Sequence, residues 1–142
     1  MGWLLRGASV ADRKTLARLR ITPSWGCAPL PTASLRLVQE GSECRIETTV
    51  QTGRRRKYWR VVVSPSDADE QLALLRDSSI PAYPVSQMVC DGEYVELAIH
   101  GEFANLTVGW WTEAPQGAET LAAFSGWLRR LGLPNGVGQD HD

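Results

Sequence analysis

Residues 35–63 read LRLVQEGSECRIETTVQTGRRRKYWRVVV, and they have the clearest strand pattern in the sequence. Apolar side chains recur at every second position, as at Cys44 and Ile46, which is the period of a strand with one buried face. Gly41 and Gly53 interrupt the run where tight turns are expected. The stretch therefore predicts three antiparallel strands, and the second turn between them has a basic tip.

Two helices are predicted farther along the chain. Ser64 and Pro65 suit a helix N-terminus, because a hydroxyl residue can cap the helix and a proline loses no hydrogen bond there. This helix is expected to run to about Asp77. The second helix is expected to open near Pro115 and to stop near Gly132. The residues predicted to face the core are Ala68, Leu72 and Leu75 in the first helix, with Ala73 and Leu74 beside them, and Leu121, Phe124, Leu128 and Leu131 in the second.

A further hairpin lies between the helices. Residues 94–99 and 106–110 both alternate between apolar and polar side chains, and a turn at Gly101 separates them. A sheet and a helix each have one apolar side to bury, so they pack in layers. The pattern predicts an α+β fold, a two-layer sandwich of an antiparallel sheet of about four to six strands with two helices (ββαββα) on one face.

The first 33 residues allow two interpretations. Ser9 and Asp12 have the spacing of a capping box, which predicts a helix through Arg20. Residues 17–21 alternate between apolar and basic side chains, which predicts a strand. Several prolines then interrupt the chain before residue 34. We therefore expect a basic N-terminal segment with a Pro-rich connector at 1–33, one α+β domain at 34–134 and a flexible tail at 135–142.

Composition and charge limit the classes of protein. The chain has 142 residues, 43% of them hydrophobic and 22% charged, as in an ordinary globular domain. It has no apolar run long enough for a membrane span or a secretory signal, so we expect a cytoplasmic protein without a membrane partner. Residues 1–63 hold twelve basic and four acidic residues, and residues 64–142 hold three basic and twelve acidic ones. Such asymmetry predicts a charged binding face, unless the two halves mix on the surface.

Catalytic and metal-binding motifs are not apparent. Cys90, Asp91 and His100 supply a thiol, an acid and an imidazole, but no nucleophile signature surrounds the cysteine. His141 lies between two aspartates in the tail, where we expect no metal site. The spacing of Cys27, Cys44 and Cys90 fits buried thiols better than a disulfide set or a metal clip. We therefore predict no catalytic, metal-binding or cofactor-binding residues, and a protein that is not an enzyme.

Binding to a macromolecule is the better prediction. Residues 54–59 combine basic side chains with aromatic rings, which also suits nucleic acid, although basic residues around a turn can simply prevent edge-to-edge aggregation. Trp110 and Trp111 must lie on opposite faces of a strand. One of them is therefore either exposed to a partner or covered by the segment containing Trp25. The candidate partner-binding residues are Arg54, Arg55, Arg56, Lys57, Trp59, Trp111 and Glu113.

The order of turns and strands also resembles a group of known proteins. Asp91-Gly92, a strand, Gly101, a strand ending in Gly109-Trp110-Trp111, then Pro115 and an amphipathic helix resemble small bacterial α+β proteins, including some immunity proteins that neutralise a toxin made by the same cell. The resemblance covers roughly residues 35–132. It implies a non-enzymatic protein-binding module whose charged face blocks a toxin. The alternatives are a nucleic-acid-binding domain that uses residues 54–57 and a small enzyme that uses Cys90 and His100.

Overall fold

The computed structural model describes residues 13–23, 31–77, 92–101, 105–111 and 116–133. Within these ranges the chain forms six strands and two helices in the order ββββαββα. The strands are β1 (Arg13–Pro23), β2 (Thr32–Glu40), β3 (Glu43–Thr52), β4 (Arg55–Val63), β5 (Glu93–His100) and β6 (Asn105–Trp111), and the helices are α1 (Pro65–Arg76) and α2 (Glu119–Gly132).

All six strands belong to one sheet with the order β4-β3-β2-β1-β5-β6. Every neighbouring pair is antiparallel. The first four strands follow one another across the sheet, and β5 then pairs on the far side of β1. The first strand is therefore central, with β2 on one side and β5 on the other.

The fold class is confirmed as α+β, with an antiparallel sheet and two helices. The predicted order ββαββα is not confirmed, because four strands precede α1. Two more strands precede α1 than the predicted order contains. Residues 35–63 hold three strands, as their local pattern predicts, and β1 adds a fourth from a segment whose sequence fits either a helix or a strand. Residues 13–23, which the prediction placed in the segment 1–33, form a strand of the same sheet.

The core lies between one face of the sheet and both helices. Its strand residues alternate with polar ones, as the sequence predicts, and the buried residues of the two helices join the same cluster. Phe124 is among the largest fully buried side chains. Leu131, which was predicted to face the core, is 37% exposed, and Trp127 packs beside Phe124 instead. The completely or almost completely buried residues of the strands include Leu19, Leu35, Leu37, Ile46, Val95 and Leu97.

Two-residue turns set the registers of β2–β3 and β3–β4. Gly41 and Gly53 open these turns with φ values of 62° and 60°, a conformation that residues with a Cβ rarely adopt. The second turn is shorter than the sequence suggested. Only Gly53 and Arg54 lie in it, and the basic residues that follow are part of β4.

The helix ends differ in detail from the prediction. α1 begins at Pro65 as expected, but the Ser64 hydroxyl contacts the Ser66 hydroxyl and does not cap the backbone. α2 begins at Glu119, four residues after the predicted opening, and the Glu119 carboxylate accepts a hydrogen bond from the Gly117 backbone N–H. In the described ranges of the chain, neither helix is long and apolar enough to span a membrane.

Candidate functional site

The β3–β4 turn and the first part of β4 carry a dense positive charge. Five basic residues are exposed here, and residues 53–63 contain no acidic residue. β4 is an outer strand of the sheet, so these side chains surround one edge of the molecule. The structure thus brings together the four basic residues predicted as candidates. We call residues 53–60 the basic hairpin; its basic residues are Arg54, Arg55, Arg56, Lys57 and Arg60.

The two aromatic residues of the basic hairpin lie on opposite faces. Tyr58 is 53% exposed, whereas Trp59 is packed against the core. The Trp59 indole N–H donates a 2.8 Å hydrogen bond to the carbonyl oxygen of Gly132 at the end of α2. Trp59, predicted as a partner-binding residue, therefore serves to hold α2 on the sheet, and Tyr58 is the ring that lies beside the exposed arginines.

The basic hairpin continues into a wider basic surface on the sheet. Directly paired residues share a face, so Arg60, Glu47, Arg36 and Arg18 form one row across β4, β3, β2 and β1. This row lies on the side away from the helices. We call this side the arginine face; its basic residues are Arg13, Arg18, Arg20, Arg36, Arg45, Arg56 and Arg60.

One buried carboxylate organises the middle of the arginine face. Glu47 is only 2% exposed. Its Oε1 accepts hydrogen bonds from Arg13 at 2.7 Å and Arg36 at 3.2 Å, and its Oε2 accepts one from Arg45 at 3.0 Å. Arg45 also reaches Glu40 at 2.7 Å. The cluster fixes three arginine side chains in position and leaves Arg60, which is paired with Glu47 in the ladder, exposed beside it.

The cluster shifts the pKa values of its members. Burial raises the pKa of Glu47, but the hydrogen bond from Arg45 and the charges of Arg13, Arg45 and Arg36 outweigh burial, so the pKa lies below its usual value. Hydrogen bonds to Glu47 and Glu40 raise the pKa of Arg45. Glu47 is therefore ionised at neutral pH and acts as a structural anion, not as a proton donor.

Arg18 has a less favourable position. It lies directly opposite Arg36, so two like charges face each other across β1 and β2. Its Nε atom is buried and has no hydrogen-bond partner in the described part of the chain. A buried donor without an acceptor, next to a like charge, lowers the free energy of unfolding. Arg18 therefore destabilises the centre of the arginine face.

We expect the substitution Arg18→Met to stabilise the protein. It removes a buried unpaired donor and a like-charge pair, so the free energy of unfolding should rise by about 1 kcal/mol. Urea unfolding monitored by circular dichroism measures the change. Arg20→Met is the matched control, because Arg20 is exposed and lies opposite Glu96, and this variant should be no more stable than the wild type. If Arg18→Met were less stable than the wild type, the Arg18 guanidinium would have to make stabilising hydrogen bonds, contrary to this account.

The exposed tryptophan lies far from the basic hairpin. Trp110 is buried and Trp111 is 44% exposed, so the two point to opposite faces as predicted. Trp111 packs against Tyr94, with ring centroids 5.1 Å apart. It belongs to β6, at the opposite edge of the sheet from β4. Five strand spacings separate β6 from β4, a distance of about 24 Å. The structure therefore does not bring Trp111 together with residues 54–57.

The remaining candidates for chemistry are of three kinds. Cys27, Cys90, Glu113 and the tail residue His141 lie outside the described residues. His100 is an exposed residue at the end of β5. Burial raises the pKa of the Cys44 thiol, and the charge of Asp69 raises it further, so this cysteine is a poor nucleophile. Across the described ranges, no group of three or more histidine, cysteine, aspartate or glutamate side chains is placed to hold a metal ion.

The arginine face is not among the predicted sites, although the sequence contains a signal for it. In β1 the order Leu16-Ala-Arg-Leu-Arg-Ile21 alternates arginine with apolar residues, and Arg36 lies between Leu35 and Leu37 in β2. Such alternation places the arginines on one face of each strand. What the alternation does not show is that β1 and β2 are neighbours, which is needed to join the arginines into one surface.

Comparisons of the sequence with protein families and with curated proteins identify no relative. The chain matches no protein-family model, and no curated protein matches it significantly. Any functional conclusion therefore depends on the surfaces described above.

Proposed function

We propose that this chain is a non-enzymatic protein-binding module, an immunity or inhibitor protein of the bacterial cytoplasm that captures an acidic surface of a toxin. The observation that carries the proposal is the basic hairpin. Its five exposed basic residues lie at one edge of the sheet, beside the arginine face and without an acidic residue between positions 53 and 63. A partner with carboxylates on its surface is the chemical complement of such a site.

The charges of four arginines in the basic hairpin are available for a partner. Arg54, Arg55, Arg56 and Arg60 form no ion pair with any part of the chain that the structure describes, in contrast to Arg13, Arg36 and Arg45, which are held by Glu47. Exposed charges of one sign attract an opposite surface over several ångströms and accelerate association. Rapid capture is what neutralisation of a toxin inside its own producer cell requires.

The arrangement of aromatic rings favours a protein partner over a nucleic acid. Single-stranded nucleic acid binds where rings for stacking lie along a basic groove. Here Trp59 faces the core, and Trp111 lies at the opposite edge of the sheet. Among the residues that the structure describes, Tyr58 is therefore the one exposed ring beside the charges of the basic hairpin. Tyrosine and arginine together are typical of the centres of protein–protein interfaces.

The experiment uses a charge reversal with a matched control. The double variant Arg54→Glu/Arg56→Glu changes the basic hairpin. The variant Arg76→Glu/Arg130→Glu makes the same change in net charge at exposed positions of the helices. Each protein is co-expressed with the product of the adjoining gene, and growth and binding are measured. We expect the wild type and the helix variant to bind and protect, and the hairpin variant to associate about 10-fold or more slowly.

Two results would contradict this function. One is that the wild type neither binds the product of the adjoining gene nor protects the cell. The other is that the wild type is retained on DNA or RNA columns, that the retention falls with salt, and that it is lost in Arg54→Glu/Arg56→Glu but not in Arg76→Glu/Arg130→Glu. The second result would establish a nucleic-acid-binding domain in place of an immunity protein.

A further inference from the structure

The two edges of the sheet have opposite chemical character. β4 carries four basic residues of the basic hairpin, Arg55, Arg56, Lys57 and Arg60, and ends in three valines. β6 has the sequence NLTVGWW and contains no charged residue and no proline. Natural proteins protect an outer strand with charges or prolines, because its free N–H and C=O groups otherwise pair with another strand. By this criterion the basic part of β4 is protected against pairing with another strand, whereas β6 is not.

The side chains of β6 are accessible as well. Leu106 and Trp111, near its two ends, are each 44% exposed, and Asn105, Thr107 and Gly109 are also exposed. No strand among the described residues pairs with the outer side of β6. The seven residues are rich in β-branched and aromatic types, which pair well in a sheet. Within the described part of the chain, β6 thus has an unpaired outer edge and exposed apolar side chains that a further strand can contact.

Side-chain contacts with β5 hold β6 in position. Tyr94 of β5 lies over Gly109, so closely that a Cβ atom at this position would overlap the tyrosine ring. The same ring packs against Trp111. An aromatic side chain that covers a glycine in an edge strand fixes the register of that strand. β6 is therefore ordered by β5 before any partner arrives.

We propose that β6 pairs antiparallel with β6 of a second copy of this chain, so that two six-stranded sheets join into one continuous sheet across a twofold axis. A strand without charges meets no like-charge repulsion when it pairs with itself. Self-pairing of β4 in a register centred near Arg56 would instead bring Arg55, Arg56 and Lys57 of two copies together, which is unfavourable. Twofold dimers are also the commonest closed assembly, because one surface then serves both partners.

The charge on β4 also favours a closed dimer over an open chain of copies. If β4 of one copy paired with β6 of the next, the contact would repeat without end and produce a fibre. The partner side of such a contact, β6, has no acidic residue to neutralise β4. Pairing through β6 leaves the two basic hairpins at the far ends of the joined sheet, where both stay accessible. The proposed dimer is therefore independent of the function proposed above.

The test measures the mass of the full chain by sedimentation velocity over a range of micromolar concentrations. The wild type should sediment as a species of twice the 15.7 kDa chain mass. Thr107 is near the middle of β6, so in a symmetric pairing it lies close to its own copy. Thr107→Lys and Thr107→Glu should each be monomeric, because like charges then meet, and an equimolar mixture of the two should form dimers again.

The matched control is Val62→Lys, which adds the same charge to an exposed residue of the other outer strand. It should remain dimeric. Circular dichroism confirms that each variant is folded, and the restored dimer in the mixture gives the same assurance. The proposal is overturned if the wild type is monomeric throughout the range, if both Thr107 variants remain dimeric, or if the wild type forms fibres.

Discussion

Replacing Glu47 by alanine should lower the free energy of unfolding by about 3 kcal/mol, the lower end of the range for removing one partner of a buried ion pair. Glu47 is the common acceptor for Arg13, Arg36 and Arg45. Without it, three guanidinium groups face one another on the sheet. We take the lower end because the side chains of Arg13 and Arg36 are 43% exposed, and solvent screens part of the interaction.

Chemical denaturation of the wild type and Glu47→Ala measures this loss, and Glu43→Ala is the control. Glu43 also contacts Arg45, at 3.5 Å, but its side chain is 53% exposed. A surface ion pair of this kind contributes little, so Glu43→Ala should change the free energy of unfolding by less than about 0.5 kcal/mol. Equal losses in the two variants would show that burial of Glu47 has no special role.

The stabilisation by Glu47 should also depend on pH in a defined direction. Its pKa is lower in the folded chain than in the unfolded chain, so the folded state favours the ionised form. The stabilisation is complete above the unfolded pKa, about 4.3, and is lost as the pH falls through the folded value. The difference in stability between wild type and Glu47→Ala should therefore shrink in acid. A difference that stays constant there would contradict the role of the ionised carboxylate.

Replacing Gly132 by alanine should lower the free energy of unfolding by about 2–3 kcal/mol, as expected for overpacking of a core. A Cβ atom at this position would lie 2.5 Å from Leu35 Cδ2, 2.9 Å from Thr48 Oγ1 and 3.0 Å from Ile46 Cγ2. The Gly132 carbonyl oxygen also accepts hydrogen bonds from Trp59 and Thr48. Any shift of α2 away from the sheet would lengthen both bonds.

Gly126→Ala is a matched control in the same helix. A Cβ atom there would contact only the Arg130 Nη1 atom, at an ordinary distance of 3.6 Å. Because alanine favours a helix more than glycine does, this variant should gain up to about 1 kcal/mol. Thermal unfolding of both variants measures the contrast. If Gly132→Ala were as stable as Gly126→Ala, close contact between α2 and β3 would be refuted.

Much of the fold follows from local patterns. The alternation in residues 35–63 predicts β2, β3 and β4, and the glycines place their turns. Ser64-Pro65 predicts the start of α1. These features depend on residues that are close in sequence. Apolar side chains that recur every 2 residues in a strand, or every 3.6 residues in a helix, show which face of the element is buried.

The position of β1 is a different matter. Residues 13–20 are compatible with a helix or with a strand when considered alone. Their partner β5 begins 70 residues after β1 ends, and this pairing, together with that to β2, makes β1 the central strand. Local propensity is too weak to decide such a segment, and contacts that are distant in sequence decide it.

The candidate surfaces divide in the same way. The composition of the basic hairpin, the opposite faces of Trp110 and Trp111, and the alternation of arginine with apolar residues can all be predicted from local sequence. The hydrogen bond from Trp59 to Gly132, the three arginines around Glu47, and the positions of β4 and β6 at the edges of the sheet follow from how the chain folds. A strand's own sequence specifies its faces, whereas its neighbours, and therefore its edges and cross-strand charges, depend on how the whole chain buries its apolar surface.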